Sequence, residues 1–269
     1  MSEQLQPLRP HHEFLITKEY WRFVEFCDAC RRHQYIGLCH GLPGVGKTLS
    51  ARYYARADLD QPLLPYALTA ESPLAAEGAP ATILYTAQVA NSPRQTIREI
   101  ARLRTMRSAC LPVLARATPE RRGLADPTEL VIVDEADRLK VTSLEQLRDF
   151  YDRRSVGLIL IGMPGIEKRM VRDPQLYSRV GFVHVIRPLE ADELRAVLDR
   201  KWDQWGIGQA SDTVTTEAKA AIIRITQGNF RLLQRLFEQI GRILALNDLH
   251  AIRPEVVEAA RERLIIGKS

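Results

Sequence analysis

Gly41-Leu42-Pro43-Gly44-Val45-Gly46-Lys47-Thr48 matches the pattern G-x-x-x-x-G-K-[ST] at every constrained position, and its setting decides the fold. Ahead of it, Tyr35-Ile36-Gly37-Leu38-Cys39-His40 reads as a short buried strand; behind it, Lys47 to Ala57 reads as a helix. A glycine-rich turn between a strand and a helix N-terminus presents converging backbone N–H groups, which Gly41, Gly44 and Gly46 permit by their conformational freedom. Such a loop cradles phosphates. Lys47 is placed to meet β- and γ-phosphate oxygens and Thr48 to offer its hydroxyl to Mg²⁺. Pro43, Val45 and Leu49 belong to the same expected ATP-contact set. The competing account is a glycine turn that merely matches, and it explains neither the strand before the loop nor the helix after it.

The second landmark is Leu130-Val131-Ile132-Val133-Asp134-Glu135-Ala136-Asp137, an apolar strand ending in carboxylates. An acid at the carboxyl end of a buried strand beside the phosphate loop suits Mg²⁺ binding, which assigns Asp134; Glu135, one residue on, can polarise the attacking water. Further apolar runs follow at Ala81–Thr86, Val156–Gly162 and Phe182–Ile186, with helical patterns between them. Alternation of strand and helix implies a parallel sheet with right-handed crossovers. From Glu190 on every segment reads helical: Asp192 to Trp205, Thr215 to Gln227, Phe230 to Leu246 and Pro254 to Ile266. The expected organisation is an arm and helix over residues 1–34, an α/β core over 35–188 and a helical lid over 189–269.

A chain of 269 residues with 45% apolar content can bury a substantial core, and no stretch approaches the length of a membrane span. A cytoplasmic protein with reduced thiols is the expectation for its four cysteines. Cys27, Cys30 and His33 recur at spacing three, which reads as the inner face of a helix through Arg32 rather than a metal site. The segment from Pro62 to Pro80 reads as a connection.

Net charge is +5, unevenly placed. Between Arg94 and Arg122 stand eight arginines against Glu99 and Glu120, six net positive charges, so the remainder of the chain is close to neutral. Ser92-Pro93 opens a helix on which Arg94, Arg98 and Arg102 recur every four residues, with Arg104 beside them; Pro112 then breaks the pattern. A basic block on a near-neutral body suits a polyanion, and these four arginines are the expected DNA contacts. A solvated charged face is the alternative.

With these motifs in this order the chain resembles AAA+ ATPases. Ile161-Gly162-Met163-Pro164-Gly165, Arg172-Asp173-Pro174-Gln175-Leu176-Tyr177-Ser178-Arg179 and Gly228-Asn229-Phe230-Arg231-Leu232-Leu233 resemble the bacterial transposition regulators of the TnsC, TniB, IstB and MuB type. The resemblance implies a P-loop AAA+ fold: a parallel sheet flanked by helices, with a small C-terminal helical lid. It implies ATP and Mg²⁺, self-assembly as a ring or helical filament on double-stranded DNA, and a transposase and possibly a target-selector protein as partners, with no membrane. It further implies that Arg179 is an arginine finger acting on a neighbouring subunit, with Arg172 as runner-up, that Arg231 is a sensor 2 residue, and that Thr86 restrains the catalytic glutamate. One departure stands out: the place usually held by a polar sensor 1 side chain is Gly162-Met163, which implies slow hydrolysis. Two other functions stay open, an AAA+ ATPase of a secretion or signalling system without direct DNA binding, and a nucleotide-binding scaffold.

Overall fold

The computed structural model describes residues 14–55, 82–114, 128–202 and 212–264. Expectations for the N-terminal arm, the 62–80 connection, Arg116, Arg121, Arg122 and residues 265–266 lie outside the described residues. In chain order the elements are α1 (Lys18–His33), β1 (Ile36–His40), α2 (Lys47–Ala55), β2 (Thr82–Thr86), α3 (Pro93–Leu114), β3 (Leu130–Asp134), a 3₁₀ turn (Ala136–Arg138), α4 (Val141–Asp152), β4 (Gly157–Gly162), α5 (Ile166–Val171), α6 (Pro174–Tyr177), β5 (Val180–Val185), α7 (Ala191–Trp202), α8 (Asp212–Thr226), α9 (Phe230–Leu246) and α10 (Pro254–Glu262).

The five strands form one parallel sheet in the order β2-β3-β4-β1-β5. β3 and β4 are buried at every position, which is why both read as unbroken apolar runs rather than alternating ones. β4 lies between β1 and β3, so the strand ending in Asp134 is not the neighbour of the strand that enters the phosphate loop. Parallel pairing still brings the carboxyl ends of both to one edge of the sheet.

On one face Ile36, Leu38, Val131, Val133, Leu158 and Leu160 pack with Leu144, Leu147 and Phe150 of α4. On the other, α1 approaches so closely that a Cβ on Gly37 would stand 2.5 Å from Cys30 Sγ and 2.6 Å from the Phe26 ring. Glycine at that position lets the helix seat on the sheet. Cys27, Cys30 and Cys39 are buried free thiols, and burial pushes the Cys30 pKa up to about 12. α3 continues through Pro112 to Leu114, so the helix does not break at that proline.

The chain divides into two compact units. Lys18–Gly41 and Lys47–Ile186 form one, so α1 belongs with the sheet; Leu42–Gly46, residues 14–17 and the described residues from Arg187 onward form the other. The second unit has its own core, in which Leu194, Leu198, Ile222, Leu236, Ile240 and Val257 are buried. Asn229 opens α9, its Oδ1 accepting from the N–H groups of Arg231 (3.1 Å) and Leu232 (3.2 Å). Ahead of it Gly228 holds a φ of 74° and a Cβ there would stand 2.0 Å from the Leu189 carbonyl oxygen, which explains the glycine of Gly228-Asn229-Phe230-Arg231.

Candidate functional site

The phosphate loop is built on two left-handed glycines, Gly44 at φ 84° and Gly46 at φ 98°, a conformation that side-chain-bearing residues rarely adopt. Pro43 O accepts from Asn229 Nδ2 at 2.8 Å and Gly44 O from the Arg231 N–H at 3.3 Å. A Cβ on Gly44 would stand 2.4 Å from Asn229 Oδ1, so glycine is needed there for space as well as for φ. Val45 is buried, whereas Leu42 and Leu49 expose large apolar side chains. The Arg231 side chain is exposed.

Where α2 begins, Lys47 Nζ donates to Gly41 O at 2.6 Å and lies 3.8 Å from Met163 Sδ. Burial lowers the Lys47 pKa, against the fields of Cys39, Asp134, Glu135 and Asp137, which favour its charge. Thr48 Oγ1 donates to Asp134 Oδ2 at 2.7 Å, joining two residues far apart in the chain. Asp134 is only 2% exposed, and desolvation raises its pKa even though Thr48 and the Glu135 N–H, 2.9 Å from Oδ1, both favour the anion. A hydroxyl and a buried carboxylate converging beside the lysine form a donor set suited to a hard divalent cation.

Glu135 turns the chain out of β3 in the left-handed region, φ 54° and ψ 38°. Its carboxylate lies 3.6 Å from Arg138 Nη2, while Arg138 Nη1 donates to Ala87 O at 3.1 Å. Thr86, expected to restrain Glu135, is exposed at the end of β2, where it pairs in register with Asp134; among the described residues the side-chain partner of Glu135 is Arg138. The spacing of Arg138, three residues after Glu135, is the signal that the motif reading passed over.

Asp137 is the third acid of the run that follows the apolar stretch of β3. The structure sets its Oδ2 2.7 Å from the Met163 N–H, at the carboxyl end of β4. Arg169 braces the same turn, donating to Asp137 O at 2.5 Å and to Leu139 O. Arg179 lies apart from this cluster: Nε and Nη2 grip Asp152 at 2.6 and 2.9 Å, a bidentate pair, and Nη1 donates to Gln175 O. Arg172 is exposed.

On α3, Arg94, Arg98 and Arg102 are exposed, and Arg102 is engaged by Glu99 at 2.6 Å. Arg104 does not join them, and its expected DNA contact is corrected: it is 8% exposed, with its guanidinium 5.4 Å from the centroid of the Phe150 ring on α4. Arg107, counted in the basic block, is fully buried and donates through Nη2 to Ala55 O and, at 3.0 Å, to Thr82 O. Positions 104 and 107 lie four and seven residues beyond Ile100, on the inward stripe of the helix, and that periodicity was the missed signal.

A family model described as an AAA domain matches residues 30–170. A potential ATP-binding protein of Staphylococcus aureus is 42% identical over 270 residues, covering 96% of this chain and 98% of that protein. The ATP-dependent target DNA activator B of Escherichia phage Mu is 25% identical over 222 residues, which are 80% of this chain and 64% of that protein. Among solved structures, the Aeropyrum pernix ORC1 protein in complex with DNA is similar with a TM-score of 0.61 at 20% identity, over 95% of this chain and 68% of that one. The Thermotoga maritima RuvB Holliday junction branch migration motor is similar with a TM-score of 0.58 at 18% identity, over 97% and 74%. At such identities these structures speak to the fold, a parallel P-loop sheet flanked by helices. With a family model matched over more than half its length and a relative 42% identical along nearly all of it, the chain belongs to the AAA domain family.

Proposed function

We propose that this protein is an ATPase that assembles with ATP on double-stranded DNA and regulates transposition, recruiting or stimulating a transposase at the target site. The observation that carries the ATPase reading is the convergence of Thr48, Asp134 and Lys47 at the carboxyl edge of the sheet, with Glu135 next in the chain. Lys47 meets the β- and γ-phosphate oxygens, and the loop N–H groups from Gly44 to Thr48 face the phosphates. Thr48 and Asp134 would hold Mg²⁺, which supplies charge neutralisation on the phosphates when bound. Glu135 takes a proton from the attacking water. Arg179 acts on the nucleotide of a neighbouring subunit, and Arg231 responds to the nucleotide from the helical unit.

The DNA part of the reading is supported by the exposed Arg94, Arg98 and Arg102 on one face of α3, and by similarity to a protein named as an ATP-dependent target DNA activator. Burial of Arg104 and Arg107 narrows that basic face and favours the second reading, an ATPase without direct DNA contact. ATP turnover and sedimentation, each with and without duplex DNA, separate the two. The expected result is ATP-dependent cosedimentation with duplex and a DNA-dependent change in turnover. Hydrolysis with no DNA response would favour the second reading, and assembly without hydrolysis would leave a scaffold.

A further inference from the structure

The carboxyl end of β4 offers Gly162 and Met163, neither of which can orient a water molecule through its side chain. We propose that Asp137, reaching across from the 3₁₀ turn after β3, supplies the missing hydrogen-bonding group and orients the attacking water together with Glu135. This rests on the reading of Glu135 as the base.

Several observations meet at this carboxylate. Oδ2 is fixed on the Met163 N–H at 2.7 Å, and Arg169 holds the carbonyl of the same residue at 2.5 Å, so the group is set on a rigid turn. A Cβ on Gly162 would stand 2.6 and 2.8 Å from the two Asp137 oxygens: the acid fills the volume that a side chain at 162 would need. The departure from a polar residue on β4 and the presence of an acid on the 3₁₀ turn are therefore one arrangement. Met163 Sδ, on the residue that Asp137 grips, lies 3.8 Å from Lys47 Nζ, so the turn stands beside the lysine. Among the described residues Oδ1 accepts no hydrogen bond, and Asp137 is only partly buried, so the lone pairs of this oxygen are open to a water.

Water can donate two hydrogen bonds. With one O–H directed to Glu135 and the other to Asp137 Oδ1, its lone pair is turned toward the γ-phosphorus. The oxygen then bonds to phosphorus as the bond from phosphorus to the β,γ-bridging oxygen breaks; one water proton passes to Glu135, and ADP departs with the electron pair of the broken bond, leaving inorganic phosphate. Asp137 takes up no proton; it fixes the direction of attack.

The test compares Asp137→Asn with Glu135→Gln and the wild-type chain, measuring kcat, ATP affinity and thermal unfolding. The asparagine carbonyl keeps the bond to the Met163 N–H, but its amide presents only donors to the water. Expected is a kcat lowered about tenfold or more, with ATP affinity within about threefold of wild type and an unchanged Tm. Wild-type kcat in Asp137→Asn would overturn the proposal, leaving the acid as a brace for the β4 turn, and so would a parallel loss of kcat, affinity and Tm. If Glu135→Gln hydrolyses ATP at the wild-type rate, the base assignment fails instead; if Glu135→Gln is inactive while Asp137→Asn is normal, only the role of Asp137 fails.

Discussion

Asp134 is a carboxylate kept from water, with one hydroxyl and one N–H turned toward it. Its raised pKa means that the native chain holds this proton to higher pH than the unfolded chain does. The stability it brings is therefore present at low pH and falls as pH rises from the ordinary carboxylate value of about 3.9 through the raised native one. Asp134→Asn keeps an acceptor for Thr48 without the buried charge. In the absence of nucleotide and metal it should raise Tm by about 2–4 °C at neutral pH, by an increment that grows with pH through that window, while abolishing Mg²⁺-dependent hydrolysis. A Tm equal to or below wild type across the pH series would contradict the burial account. Lys47→Ala removes the charge facing the phosphates, and ATP affinity should fall about a hundredfold or more, read by titration with a fluorescent nucleotide.

At the scale of the element, α3 divides its arginines by helical phase. Arg107 satisfies the carbonyls of Ala55 in α2 and of Thr82 in β2, so it ties the phosphate-loop helix to the sheet. Arg107→Ala should cost about 3 kcal/mol by denaturant unfolding, because the buried carbonyls lose their donor and the side-chain volume is left empty. Arg94 and Arg98 face solvent instead and are the proposed duplex contacts. The double change Arg94→Ala with Arg98→Ala should weaken duplex binding and reduce its salt slope by roughly two per subunit bound, leaving ATP affinity intact. Fluorescence anisotropy over a salt series measures both quantities, and unaltered affinity and slope would assign this stripe to a solvated face.

At the scale of the whole molecule, the question is what Arg179 does in an assembly. Within one chain its guanidinium is committed to Asp152 at 2.6 and 2.9 Å, so reaching another subunit's nucleotide requires that pair to open. Arg179→Ala should bind ATP but hydrolyse it poorly and assemble weakly. Mixed with Lys47→Ala, whose own Arg179 is intact, it should recover part of the turnover, because each variant supplies what the other lacks. An absence of recovery would move the finger to Arg172 or to a role within one subunit.

The sequence by itself determined the nucleotide fold: the glycine loop, the acids ending β3, the alternation of strand and helix and the helical C-terminal third. Each is set by residues within a few positions of one another, since a phosphate loop needs glycines at fixed spacing and a buried parallel strand needs an unbroken apolar run. Only the tertiary structure decided how side chains far apart in sequence are spent. Arg107 meets Ala55 across 52 positions, Arg179 meets Asp152 across 27, and Asp137 meets Met163 across 26. An arginine block reads as charge in a sequence whether its members face water or a carbonyl, and an acid after β3 reads as solvated until the end of β4 comes down beside it. The physical reason is that burial and hydrogen-bond pairing are properties of the packed sheet and its helices, where partners are chosen by distance in space and not along the chain.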